Sequence, residues 1–517
     1  MIRLPKDTAK DLIGLHGWMG VALGLLLYVV ILTGTLAVFE QELATWANPL
    51  PEPVATAFPK GIGPVLNDIY QRNDPAYGEE VFVFPAADGR LRALFHTHIE
   101  SDDGHGVEKG VLALVDPITL RVVDEREGEV EALFQESSST ALTDFLVDLH
   151  VRLLLPGQWG LLLTGILGFA MLAAAVTGFV IHRHLFKDMF TLRKRGDSVL
   201  TARDAHVVAG TWNLPFAFML AFTGAFFSFG GAIGLPAIAY VAFGGDVDTI
   251  TEEVLTPPIP TAESPAPLYD LEAIFDDARQ RTGLELTGLQ ILHWGRADAS
   301  VQMSMQTPEG KLLPDHLLYQ GATGEFLGVK PSLGQEPSLG GDLAGLMSPL
   351  HFGNFAGLFS KVVWFAFGFA SAYVTLSGLR LWTARRREAR GWVWLEKLTS
   401  WVGYGLPASL AVAAVVFLGN RFVANLFLPF ILTAALLALP ALRINAERYR
   451  QFMRVALGIL MLTLPLVRWV NGGPAWWDAS GTVVVIDALW LLCGASFLFA
   501  RRRQKDPEIT FQTAEQL

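Results

Sequence analysis

Apolar residues along this chain gather into stretches of about 20, the length that crosses a hydrocarbon core. They lie near 17–39, 153–182, 207–232, 352–382, 400–419, 422–442, 453–470 and 481–500, which predicts eight crossings. Two long polar segments interrupt the series, and there the pattern changes to alternation with turn signals, the mark of half-buried strands. The first holds Val81-Phe82-Val83-Phe84, Ala87-Asp88-Gly89 and Leu91 to His98. The second holds a helical stretch near 268–282, then Leu286 to Trp294, Pro308-Glu309-Gly310 and His316 to Tyr319. The predicted fold class is an α-helical polytopic membrane protein of about eight transmembrane helices, with two small α+β domains outside the membrane.

Composition agrees: 51% of the 517 residues are hydrophobic and 17% charged, with mean hydropathy +0.38, against roughly 25% charge in an average soluble protein. Basic residues cluster at Arg3, Lys6 and Lys10, in 183–203, in 385–397, in 443–454 and at Arg501, Arg502 and Arg503. By the positive-inside rule every second connection is then cytoplasmic. The chain divides into a first transmembrane stretch 1–39, an outer domain 40–149, a second stretch 150–182, a cytoplasmic loop 183–205, a third stretch 206–244 and a second outer domain 245–345. A fourth stretch 346–382, a cytoplasmic loop 383–399, a four-helix bundle 400–500 and a cytoplasmic tail 501–517 complete it. Both termini face the cytoplasm in this reading. The two outer segments hold 37 of the 50 Asp and Glu residues but 12 of the 39 Lys and Arg. A net charge of -11 argues against nucleic acid, which rewards clustered basic residues. The single cysteine, Cys493, excludes an intramolecular disulfide and a cysteine-held iron–sulfur cluster.

The first span is longer than a signal-peptide core, and it matches a later span. Span 1 reads His16-x-x-x-Gly20 and then Thr33-Gly34; span 3 reads His206-x-x-x-Gly210 and then Thr223-Gly224, at identical offsets. Spans 2 and 4 open with Leu149-His150 and Leu350-His351 and close on Thr177-Gly178 and Ser377-Gly378. The first 385 residues are therefore two copies of helix, outer domain, helix.

Four of the eleven histidines stand at the mouths of these four spans. Topology assigns His16 and His206 to the cytoplasmic face, His150 and His351 to the outer face. Imidazole is a common axial ligand of haem iron, and facing helices can build cofactor sites in a bundle. Each pair, one histidine from each copy, predicts a bis-histidine haem b near each face, two per chain. Interfacial histidines without a ligand are the plain alternative at any single position, and the many glycines also serve helix packing. From His16 to Thr33 is 17 residues, about 26 Å of helix, so two haems, unlike one, make an electron path. His182 is an alternative inner ligand. No glycine fingerprint for a nicotinamide or flavin domain occurs, so electrons would come from quinol or a cytoplasmic protein donor.

The repeated His-x-x-x-Gly to Thr-Gly pattern, the Leu-His openings, Leu350-His351-Phe352-Gly353 and the stretch from Gly378 through Trp382 to Arg385-Arg386-Arg387 resemble the PepSY-associated transmembrane helix family. The resemblance covers about residues 10–390 and leaves 400–517 unmatched. That family includes iron-regulated inner-membrane proteins and haem-containing siderophore reductases. It implies PepSY-like periplasmic domains, an inner-membrane location, and electron transfer to a ferric siderophore, whose iron is released once reduced because oxygen ligands hold ferrous iron less well.

Three further groups carry candidate chemistry. His96, His98 and His105, among nearby carboxylates, read either as a metal site or as a polar hairpin tip. Lys361, ten residues inside span 4, is costly in a membrane and reads either as a haem-propionate partner or as a residue snorkelling outward. Asp487 is expected to pair with Arg468 or Arg421. Two other functional classes stay open: a membrane-anchored binding or protease-regulating module, which does not account for paired histidines, and a transporter of iron complexes, which meets repeats of like rather than inverted orientation.

Overall fold

A computed structural model describes residues 5–47, 58–86, 89–100, 106–135, 140–181, 189–193, 198–244, 259–331, 337–384, 386, 388–420 and 425–499. Its membrane part contains a square of four long helices: α1 (Lys6–Ala37), α6 (Gln158–Ile181), α7 (Ser198–Phe229) and α11 (Gly357–Ala384). Helix α1 packs on α6 and α11, and α7 packs on the same two, which closes the square. The third span does not stop where α7 ends. A π-helical turn at Gly230–Gly234 carries it into α8 (Leu235–Phe243).

Helices α2 (Glu40–Ala47), α3 (Ile62–Arg72), α4 (Val130–Gln135), α5 (Ala141–Arg152), α9 (Leu271–Thr282) and α10 (Leu339–Phe352) belong to the segments between the paired spans of the two repeats. Here the structure corrects the expectation that Leu-His opens spans 2 and 4. His150 lies in the last turn of α5 and His351 in the last turn of α10, each a separate helix before the span proper. The breaks are local: Leu153 and Leu154 take φ of 54° and 58° before Pro156-Gly157, and Gly353 and Gly357 take φ of 66° and 55°. Proline cannot continue a helix and glycine tolerates positive φ.

The outer segments also differ from two separate domains. Strands β1 (Glu80–Pro85), β2 (Leu91–Glu100), β3 (Gly106–Val115) and β4 (Val122–Glu129) form one antiparallel meander, and β5 (Leu286–Leu292), β6 (Ser300–Met305), β7 (His316–Gln320) and β8 (Phe326–Lys330) a second. β1 pairs antiparallel with β5, with Val81 opposite Ile291, giving one eight-stranded sheet of order β4-β3-β2-β1-β5-β6-β7-β8. Alternate residues of both halves, among them Val81, Val83, Phe95, Val111, Ile291, Val301 and Met303, bury one face against α3 and α9. Joining two short meanders edge to edge removes a pair of exposed edges.

The C-terminal bundle consists of α12 (Arg390–Gly419), α13 (Phe427–Arg443), α14 (Ala446–Val470) and α15 (Gly481–Phe499). Among the described residues seven helices are long and apolar enough to cross a membrane; the eighth expected crossing corresponds to α13, an apolar helix of 17 residues. The bundle meets the square where α12 packs on α11 and α1, and it meets α2 through α15.

Candidate functional site

The four repeat histidines are seated by one device. His16 of α1 lies on the end of α6, where its Nδ1 is 3.0 Å from the Ala174 carbonyl oxygen and 3.2 Å from the Thr177 hydroxyl. His150 of α5 reaches the Val30 carbonyl of α1 at 2.8 Å. In the second copy, His206 of α7 meets the Ser377 hydroxyl of α11 at 2.9 Å, and His351 of α10 meets the Thr223 hydroxyl of α7 at 2.9 Å.

These contacts fix the tautomers. A carbonyl oxygen only accepts, so Nδ1 of His16 and His150 must carry the proton. The Ser377 and Thr223 hydroxyls donate their own hydrogens to the Val374 and Met219 carbonyls, so they too accept from the imidazole. All four rings therefore donate from Nδ1, which in a neutral imidazole leaves the lone pair on Nε2. An outer acceptor of this kind orients a metal-ligating histidine.

The small-residue pairs that end each span supply the space. A Cβ on Gly178 would stand 3.3 Å from Cε1 of His16, one on Gly378 3.1 Å from His206, one on Gly224 3.3 Å from His351 and one on Gly34 2.5 Å from His150. Within each copy the span that carries the first histidine also seats the second: α1 rests His16 on α6 and receives His150 of α5, and α7 rests His206 on α11 and receives His351 of α10. The sequence reading noticed these pairs as span ends and missed that they receive the histidines, because the partners lie more than 100 residues apart.

The outer pair comes together across the repeats. The His150 and His351 ring centroids are 6.2 Å apart with planes inclined by 31°. Two metal–nitrogen bonds of about 2.0 Å, with about 1.1 Å from each Nε2 to its ring centre, put the centroids of an axial pair about 6 Å apart. Donor type, tautomer and spacing fit two imidazoles sharing one metal ion, as a bis-histidine haem would require. For His16 and His206 the structure fixes each ring on its neighbouring helix. His182 lies outside the described residues.

Lys361 has a protein partner. Its Nζ is 2.7 Å from Glu42 Oε1 of α2 and 2.9 Å from Oε2, an ion pair that ties α11 to the outer helix and satisfies the charge without a propionate. Asp487 pairs with Arg468, as one of its two expected partners; Arg421 lies outside the described residues.

On the sheet, His96 and His98 share a face as expected, and the structure adds Glu80, which the sequence reading missed. His105 lies outside the described residues. Burial lowers the His96 pKa from its ordinary value.

Comparison with known proteins places these features in context. The model of the PepSY-associated TM region matches residues 13–385. An uncharacterized protein of Pseudomonas aeruginosa is 28% identical over 287 residues, covering 53% of this chain and 71% of its own length.

Proposed function

The chain belongs to the PepSY-associated TM family, and from that membership and the seated histidines we propose that it is a transmembrane di-haem b electron-transfer protein that reduces a ferric siderophore outside the membrane. The observation that carries this reading is the outer pair, His150 and His351, with ring centroids 6.2 Å apart and both Nδ1 atoms engaged as donors. His150 and His351 would hold one haem and His16 and His206 the other. When bound, the haems supply one-electron carriers at the two faces.

The residues of the chain do the rest. Val30 and Thr223 orient the outer imidazoles and, by accepting from Nδ1, make Nε2 a stronger donor to iron. The glycines at 34, 178, 224 and 378 leave room for the rings beside the helix backbones. In this reading the bundle lies in a bacterial inner membrane with both termini in the cytoplasm and the sheet in the periplasm. Quinol or a cytoplasmic protein supplies electrons. A ferric chelate takes one electron and becomes ferrous, and its oxygen ligands then hold the iron less tightly. A pyridine haemochrome assay against protein concentration tests the reading: two haems b per chain are expected, and a value near zero removes it.

A further inference from the structure

A second histidine cluster lies on the sheet, apart from the four seated rings. His96 and His98 are two residues apart in β2 and project from one face, and Glu80 of β1 stands directly opposite His96 in the register. One ligand-capable atom from each of Glu80, His96 and His98 lies within 4.8 Å of the other two. Glu80 Oε2 is 3.5 Å from His96 Nε2, long for a hydrogen bond. It is close to the separation of about 3.3 Å between two ligands of a tetrahedral ion with bonds of about 2.0 Å.

The surroundings are those of a site rather than of a surface. His96 is 3% exposed and Glu80 8%. Gln290 of the neighbouring repeat donates to Glu80 Oε1 at 2.8 Å, which fixes one carboxylate oxygen and leaves Oε2 beside the histidine; ligating carboxylates are held in this way. The His96 ring stacks on Phe82, and its Nδ1 is buried with no hydrogen-bond partner among the described residues. Other carboxylates stand nearby: Glu108 Oε1 is 3.5 Å from His98 Nε2, and Glu79 accepts from Thr97 and from the His98 amide. Polar groups buried this deeply need partners, and a cation shared by Glu80 and the two imidazoles supplies one.

We propose that Glu80, His96 and His98 bind one divalent first-row transition-metal ion. Two imidazoles and one carboxylate are the donor set that suits zinc, cobalt and ferrous iron rather than magnesium or calcium. The site also faces a suggestive direction. Arg92, on the same face of β2, donates to Thr140 at 2.7 Å, and Thr140 caps α5, whose last turn carries His150. Ferrous iron as the natural occupant rests on the proposed function, since it is the product released there; the site itself does not.

The test uses the full-length protein in detergent, stripped with a chelator and titrated calorimetrically with Zn²⁺, which neither gains nor loses electrons and reads the site whether or not haem is present. One equivalent is expected in the wild type. Its affinity should fall at least tenfold in His96→Gln and in Glu80→Gln, with the visible spectrum and the elution volume unchanged. Should His96→Gln not fold, His98→Gln, at a half-buried position, must show the same fall. A triple variant that binds Zn²⁺ with unchanged stoichiometry and affinity overturns the site. Anaerobic Fe²⁺ is then added to compete with Zn²⁺. Competition supports ferrous iron as the occupant, and failure to compete removes that assignment while leaving the zinc-defined site.

Discussion

At Gly34 one added methyl group would stand 2.5 Å from Cε1 of His150, whereas at Gly224 the matching distance to His351 is 3.3 Å. Contacts below about 3 Å force movement, and the neighbour here is a ring already tied to a backbone carbonyl. Gly34→Ala is therefore expected to displace His150 and lower the haem content of the folded protein toward one per chain, while Gly224→Ala keeps closer to two. A haemochrome assay on both variants decides it, and equal retention of two haems would show that the seat is roomier than the distances imply. Removing the ligands themselves should sort them by face. His150→Ala or His351→Ala should leave roughly half the absorbance, and so should His16→Ala or His206→Ala, through loss of the other haem. If His206→Ala keeps both haems and His182→Ala does not, the inner pair has been assigned to the wrong histidine.

Among the elements, a buried charge cluster joins the C-terminal bundle to α2. Arg468 of α14, 2% exposed, donates to Asp487 of α15, 0% exposed, with its Nη2 2.6 Å from Oδ2. Trp46 of α2 and Trp476 donate to the same carboxylate at 2.7 and 2.9 Å. Removing one partner of such a pair typically costs about 3–5 kcal/mol because the other charge stays buried. Asp487→Ala should therefore lower the thermal midpoint in detergent and shift tryptophan emission, and an unchanged midpoint would mean that α2 docks without the cluster. This pairing was legible in part, since a charged residue in an apolar span demands a partner. Hydropathy marked the long spans, alternation marked the strands near 81–84, 91–98, 286–294 and 316–319, and the repeated His and Thr-Gly spacing marked the rings. What stayed hidden depends on distant pairing. Nothing local announces that β1 and β5 join two meanders across some 200 residues, that Glu80 stands opposite His96, or that Glu42 waits for Lys361. The separate helices α5 and α10 were hidden for another reason: Leu153-Leu154-Leu155 is as apolar as a span, and the break lies in its backbone angles.

For the whole molecule, the two repeats place unlike things at the two ends of one square of helices. Each copy sends its chain out at the end of α1 or α8, through half of the shared sheet, and back through α5 or α10, so the single folded domain and the His150–His351 pair lie at the same end. Arg92 on the sheet donates to Thr140 at the head of α5, and Lys361 of α11 binds Glu42 of α2. Sheet and square are thus tied together on that side. The connections at the opposite end, 183–205 and 383–399, are short and basic in sequence. If electrons enter near His16 and His206 and leave near His150 and His351, a ferric siderophore added to dithionite-reduced protein should reoxidise it, and a ferrous-specific chelator should trap the product in step with the spectral change. Stopped-flow mixing measures both. His351→Ala should slow the reaction by orders of magnitude, because removal of the outer carrier leaves the electron most of a membrane away from its acceptor. Glu80→Gln should leave the rate of reoxidation unaltered, since the sheet cluster is assigned to the metal after reduction. If several ferric chelates fail while a quinone, a copper salt or a protein acceptor reoxidises the protein, the electron path stands and the acceptor is of another class.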